Sequence, residues 1–389
     1  MATLLLLLIY TSFISLGLPD ALLGAGWPAM QPDFGVPYGY AGIAQMLISG
    51  GTIISSIFSG VLIKRLGTGK LTAISVGLTA GALFGFSFAP AFWQIMLLAV
   101  PLGLGAGAVD AGLNSYVADH YESRHMSWLH SFWGVGALGG PLALSAILLK
   151  GFPWRWGYRS VGIFQAILTL ILITSIPLWS KVKARKAAAG GDDGHSRVPL
   201  IAAFKTKGVK FALLIFMLYC GIESGMGLWG GSFLYKIKGM DPALAATWVS
   251  MFYASITLGR FLTGFLTYKF SNNILIRSGS LIVAAGVMLM LLPLPLPFNL
   301  CGFLFVGFGC APIFPCMIHE TPARFGGAGS QTIIGLQMAS AYIGSTLLPP
   351  LFGFVAGFTS MALLPFFLLG FIVLLLLCFE KLVRGRITR

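Results

Sequence analysis

The sequence predicts an all-α membrane protein: twelve transmembrane helices in two pseudo-symmetric six-helix bundles, with both chain ends cytoplasmic. Three observations predict it. The first is composition: 57% of the 389 residues are hydrophobic and only 9% are charged, where a soluble chain carries about a quarter charged residues. The second is spacing. Apolar runs of about 20 residues, enough to cross a bilayer, recur twelve times. The third is an internal repeat. SSIFSGVLIKR closes the second run and GRFLTGFLTYK closes the eighth, with Gly60 and Gly264 lying 204 residues apart; Gly103 of the fourth run matches Gly307 of the tenth.

In chain order the spans fall near 4–30, 38–62, 71–89, 92–119, 128–150, 158–180, 208–235, 244–268, 275–292, 296–320, 331–357 and 361–380. The first begins Met1-Ala2-Thr3-Leu4, without a basic n-region or a clear cleavage site, and reads as a retained helix. It carries Asp20, a charge that costs about 2.5–3.5 kcal/mol at bilayer depth. Pro19 beside it has no N–H to give the Ser15 carbonyl, so a bent helix with a free acceptor next to an acid is expected. The fourth span carries Asp110 and Asn114. The fifth opens with His130, a structural hydrogen bond or a titrating group, and with Trp133, equally core or ligand. Residues 181–207 are the one long polar stretch, holding Lys-Val-Lys-Ala-Arg-Lys and Gly190-Gly191-Asp192-Asp193-Gly194. They divide an N-terminal bundle (1–180) from a C-terminal one with a short basic tail (208–389).

The seventh span holds Glu223 and five glycines within Gly221–Gly231. A broken helix is expected there, since transporters place binding groups at such breaks. Arg260, within the eighth span, reads as a contact at a cytoplasmic loop. His319-Glu320, ending the tenth, reads as an interface or gate contact.

Charge sets the orientation. With the N-terminus inside, 19 of the 25 Lys and Arg fall on the cytoplasmic side, five fall outside and Arg260 lies within a span. That bias is the positive-inside pattern, and it accounts for the net charge of +14 without nucleic acid. The five cysteines have no metal-like or disulfide-like spacing. No P-loop, H-E-x-x-H or G-x-S-x-G occurs, so no enzyme, cofactor or metal site is expected. Short loops without an N-x-S/T sequon suit a bacterial inner membrane.

Asp20, Asp110 and Glu223, acids within the first, fourth and seventh spans, define the candidate site. On a helix, positions i, i+3, i+4 and i+7 share a face. Asp20 shares its face with Gly17, Gly24 and Trp27; Asp110 shares its own with Gly103, Gly107 and Asn114. Small residues leave room for a ligand. Carboxylates and amides can take sugar hydroxyls in pairs while an aromatic ring covers the C–H face. The expected substrate-binding set is Asp20, Trp27, Gln45, Asp110, Asn114, Glu223, Trp229 and Gln337, with Asp20, Asp110 and Glu223 also candidates for proton coupling.

Two parallel six-helix halves resemble the major facilitators. Within them, Gly-Leu-Pro-Asp20-Ala-Leu-Leu-Gly, Asp110-Ala-Gly-Leu-Asn114 and Gly221-Ile-Glu223 are similar to the fucose permease branch, which takes up fucose, galactose or glucose with protons and is related to the animal sodium-dependent glucose transporter 1 type. The resemblance implies a substrate site between the halves near the bilayer midplane. It also gives Asp20 and Asp110 the roles of sugar binding and proton coupling. Two departures stand out: the helix-four acid is Asp where fucose permease has Glu, and Lys64 replaces the acid of the loop after the second helix.

The expected function is a monomeric secondary transporter in the plasma membrane that moves a monosaccharide with H⁺. Symport with Na⁺, bound by carboxylates and by carbonyls freed at Pro19 or in the seventh helix, is one alternative. Proton-driven export of lipophilic compounds and a nutrient sensor are others.

Overall fold

The computed structural model describes residues 2–121, 123–187 and 200–387. Fourteen α-helices fill them: α1 (Ala2–Asp20), α2 (Leu22–Phe34), α3 (Tyr40–Leu66), α4 (Thr68–Phe88), α5 (Phe92–His120), α6 (Ser123–Leu149), α7 (Arg155–Ala187), α8 (Leu200–Lys205), α9 (Val209–Lys238), α10 (Pro242–Leu266), α11 (Asn272–Leu291), α12 (Leu296–Phe325), α13 (Gly327–Phe358) and α14 (Leu364–Ile387). Twelve spans are long and apolar enough to cross a membrane, α1 and α2 counting together as the first. With no water in the hydrocarbon to satisfy backbone groups, helices are what a spanning chain can form.

The chain divides into two compact units, Met1–Asp192 with Met240–Ser250, and Asp193–Gly239 with Met251–Arg389. The opening turns of α10 therefore belong to the first unit, where Ser250 Oγ donates to the Leu138 carbonyl at 2.7 Å. Of the expected linker, Gly190–Gly194 lies outside the described residues; α7 runs on to Ala187 before it and α8 follows it.

Each unit is packed on glycine, and the two use one register. In the first, a Cβ on Gly103 would overlap the Ile48 carbonyl oxygen, and one on Gly107 the Thr52 carbonyl oxygen, so α3 and α5 touch backbone to backbone. In the second, a Cβ on Gly307 would meet Ser255 Oγ and the Phe252 carbonyl of α10. Ile48 and Phe252, like Gly103 and Gly307, are 204 residues apart. The pairing of α1 with α6 recurs as α9 with α13. Gly136 sits over the Ile14 carbonyl and Gly344 over the Met217 carbonyl. Close approach of this kind is what small residues supply where lipid offers no hydrophobic drive.

The broken helix is not where the glycines are. α9 runs unbroken from Val209 to Lys238. Its glycines are contact points: Gly221 against Leu348, Gly227 against the Tyr253 hydroxyl, Gly230 against Phe303. The break lies instead in the first span. α1 ends at Asp20, Ala21 forms the junction and α2 starts at Leu22. Pro19, just before the break, has no N–H to give the Ser15 carbonyl one turn back.

Candidate functional site

In the first unit the break delivers Asp20 as the last residue of α1. Its carboxylate is exposed. Trp133 Nε1–H of α6 donates to its Oδ2 at 2.7 Å, and among the described residues that indole is its one hydrogen-bond partner. Trp133 thus joins the candidate site. Asp110 of α5 is half-buried and close enough for its charge to act on Asp20. Asn114, one turn on, donates through Nδ2 to Asp110 Oδ1 at 2.9 Å and to its carbonyl at 3.0 Å. The i, i+4 spacing foresaw this pair. An indole thus meets Asp20 and an amide meets Asp110.

The Ser15 carbonyl is not the free acceptor expected from Pro19. Gln165 of α7 reaches it with Nε2 at 2.8 Å. Left unpaired in a buried setting, that carbonyl would cost about 1–3 kcal/mol. Proline beside the acid signalled that a donor was needed, but nothing local named Gln165, 150 residues away.

In the second unit Glu223 of α9 sits near mid-helix. Arg260 Nη2 of α10 lies 3.4 Å from its Oε1 and 3.2 Å from the Tyr219 hydroxyl. Arg260 is therefore not a cytoplasmic-loop contact. It turns Glu223 into half of an ion pair that is mostly shielded, with 25% of the Arg260 side chain and 13% of that of Glu223 accessible. An arginine inside a span was the available signal: intramembrane charges pair.

The remaining expected residues separate. Gln45 is half-buried and bonds Ser49 of its own helix at 3.3 Å. Trp27 and Trp229 are fully buried. Trp27 Nε1 donates to the Tyr38 carbonyl and Trp229 Nε1 to the Pro349 carbonyl, both at 2.8 Å. Neither ring offers a face to a ligand. The helical-face argument for Trp27 fails because the ring is buried against Tyr38 and Phe92. Gln337 is also buried; its Oε1 accepts from Thr321 at 3.0 Å, so it ties α13 to α12. His319 and Glu320 share the Asn272 amide, at 3.2 and 3.0 Å, within one unit. No cluster of three or more metal-ligating side chains occurs among the described residues.

A model of the Major Facilitator Superfamily matches residues 9–332. An uncharacterised MFS-type transporter of Yersinia pestis is 26% identical over 97% of this chain and 96% of its own. The glucose/mannose transporter GlcP of Bacillus subtilis is 24% identical over 79% of this chain and 77% of its own. Among solved structures, the nucleoside transporter NupG superposes with a TM-score of 0.75 at 16% identity, covering 96% of this chain and 98% of that one. A bacterial homologue of the lysosomal transporter Spinster gives 0.73 at 15% identity, covering 100% of this chain and 97% of that one.

Proposed function

The chain belongs to the Major Facilitator Superfamily, and from that premise we propose that this membrane transporter moves a hexose-like monosaccharide by alternating access, coupled to H⁺, across a bacterial inner membrane. The observation that carries the reading is the Asp20–Trp133 and Asp110–Asn114 arrangement. Both are carboxylates within spans, and the exposed one, Asp20, is held by a neutral donor. A proton cancels the charge on such an acid and so removes the cost of enclosing it. The same carboxylate and amide oxygens suit sugar hydroxyls. The 24% identity to a glucose/mannose transporter supports the substrate class.

In this reading Glu223 contributes as a polar ligand with Arg260 and Tyr219, because the Glu223–Arg260 pair already carries no net charge and needs no proton. Engagement of the Ser15 carbonyl by Gln165 supports H⁺ over Na⁺, which draws on free backbone carbonyls in transporters. The reading keeps both chain ends cytoplasmic by the positive-inside pattern, two bundles flanking a 181–207 linker, a monomer, and no cofactor.

Reconstituted vesicles given labelled glucose, with and without an inward proton gradient and with Na⁺ replaced by choline, test it. Gradient-driven accumulation that is independent of Na⁺ and absent in Asp20→Asn is expected. Failure of every monosaccharide in a panel to accumulate or to shift the melting temperature overturns the substrate class. Equal uptake by Asp20→Asn and wild type overturns the role of Asp20.

A further inference from the structure

The helix break beside Asp20 is braced from another helix. Pro19 gives no N–H to the Ser15 carbonyl, and the amide of Gln165 on α7 fills the vacancy at 2.8 Å. We propose that Gln165 is a positioning residue for Asp20: by capping the carbonyl that Pro19 orphans, it sets where α1 stops and hence where the Asp20 carboxylate meets the Trp133 indole.

Three observations carry this. Gln165 is 1% exposed, so it is not a solvated side chain that happens to lean inward. Its Oε1 is buried without a hydrogen-bond partner. An amide kept only for its volume would be replaced favourably by an apolar side chain; what offsets the orphaned oxygen here is the Ser15 bond. Third, the repeat supplies an internal control. Counting 203 residues on, Ser15, Pro19 and Asp20 map to Leu218, Ile222 and Glu223. Without the proline, α9 passes through that point unbroken, and Glu223 takes its partner from Arg260 instead. The helix break and its cap occur together in one half, and the other half has the acid without the break.

The inference rests on the reading of Asp20 as the working acid, but its test reads Asp20 directly and needs no transported solute. The full-length protein in detergent is treated with dicyclohexylcarbodiimide, and modification of Asp20 is followed by peptide mass spectrometry. In Gln165→Met the α1 end loosens, Asp20 leaves the Trp133 N–H, and its labelling is expected to rise about five-fold, the factor that one hydrogen bond of ordinary net strength carries. Pro19→Ala restores a backbone donor to Ser15, so adding Gln165→Met in that background is expected to change labelling by less than about two-fold. Equal labelling of Gln165→Met and wild type overturns the proposal, as does an undiminished effect in the Pro19→Ala background. If Gln165→Met alone does not yield folded protein, recovery of a monodisperse sample by Pro19→Ala/Gln165→Met supports the cap; failure of both shows general packing and overturns it. Loss of uptake in Asp20→Asn is a separate result, so the two readings fail independently.

Discussion

At the residue scale, the three intramembrane acids have different partners and therefore different expected behaviour. Asp20 takes one neutral N–H from Trp133. Trp133→Phe keeps the ring and removes the donor. A hydrogen bond to a charged group contributes about 1.5–3 kcal/mol, so carbodiimide labelling of Asp20 is expected to rise roughly ten-fold or more, read by peptide mass spectrometry. Glu223 faces Arg260. Removing either partner leaves a shielded charge alone, so Glu223→Gln and Arg260→Gln are each expected to cost about 1.5–3 kcal/mol, while the double variant recovers most of it. Thermal unfolding of the four proteins closes that cycle; additive losses would mean that the pair does not couple.

The acids, and Asn114 at i+4 from Asp110, were legible in the sequence because a charge or amide in an apolar run stands out against its surroundings. The partners were not. Trp133, Gln165 and Arg260 are brought in from other helices, and no local pattern ties them to the acids they serve. Trp27 and Trp229 show the opposite failure. Spacing suggested Trp27, and an expected break in the seventh span Trp229, as ligand rings, yet burial and a carbonyl at 2.8 Å make both of them core.

At the element scale, the contrast between α1 and α9 is instructive. Five glycines do not break α9, and α1 ends one residue after Pro19, although α5, α6 and α13 run on through their own prolines. Glycine lowers helix propensity by about 1 kcal/mol relative to alanine but keeps its N–H. In a membrane that N–H has no water to turn to, so the helix bond persists, and the missing side chain lets Leu348, Tyr253 and Phe303 come close. Proline removes the donor itself. The glycines of α5 have the same packing role against α3. Gly107→Val is therefore expected to force α3 and α5 apart and cost about 1–3 kcal/mol as an overpacked contact, seen as a lowered melting temperature or lost monodispersity in detergent. Gly60→Val is the control, since a side chain there meets nothing within 4 Å.

At the scale of the whole molecule, the repeat is more than a resemblance of strings. Gly103 on Ile48 and Gly307 on Phe252 are the same backbone contact made twice. The halves differ where chemistry is placed. Asp110 has its counterpart 204 residues on in Phe314, and Arg260 has its counterpart in Ser56. In the first half Asp20 takes a neutral indole donor, and in the second Glu223 is paired with a cation. Orientation is testable at this scale. In a background with the native cysteines replaced, single cysteines at Gly67 and Gly326 are expected to react with an impermeant maleimide only from the cytoplasmic side, and one at Gly151 only from outside.

By itself the sequence determined the number of spans, their order, the two-fold repeat and the acids within it. Those follow from hydropathy, length and position, which are properties of one stretch of chain at a time. Tertiary structure alone decided which helix breaks, which tryptophan is a donor to the site and which are core, and which cation meets Glu223. Each of those depends on a hydrogen bond or a close contact between residues tens to hundreds of positions apart. In a bilayer, where an unmet polar group is costly and every apolar face looks alike to lipid, it is those pairings that distinguish a site from its scaffold.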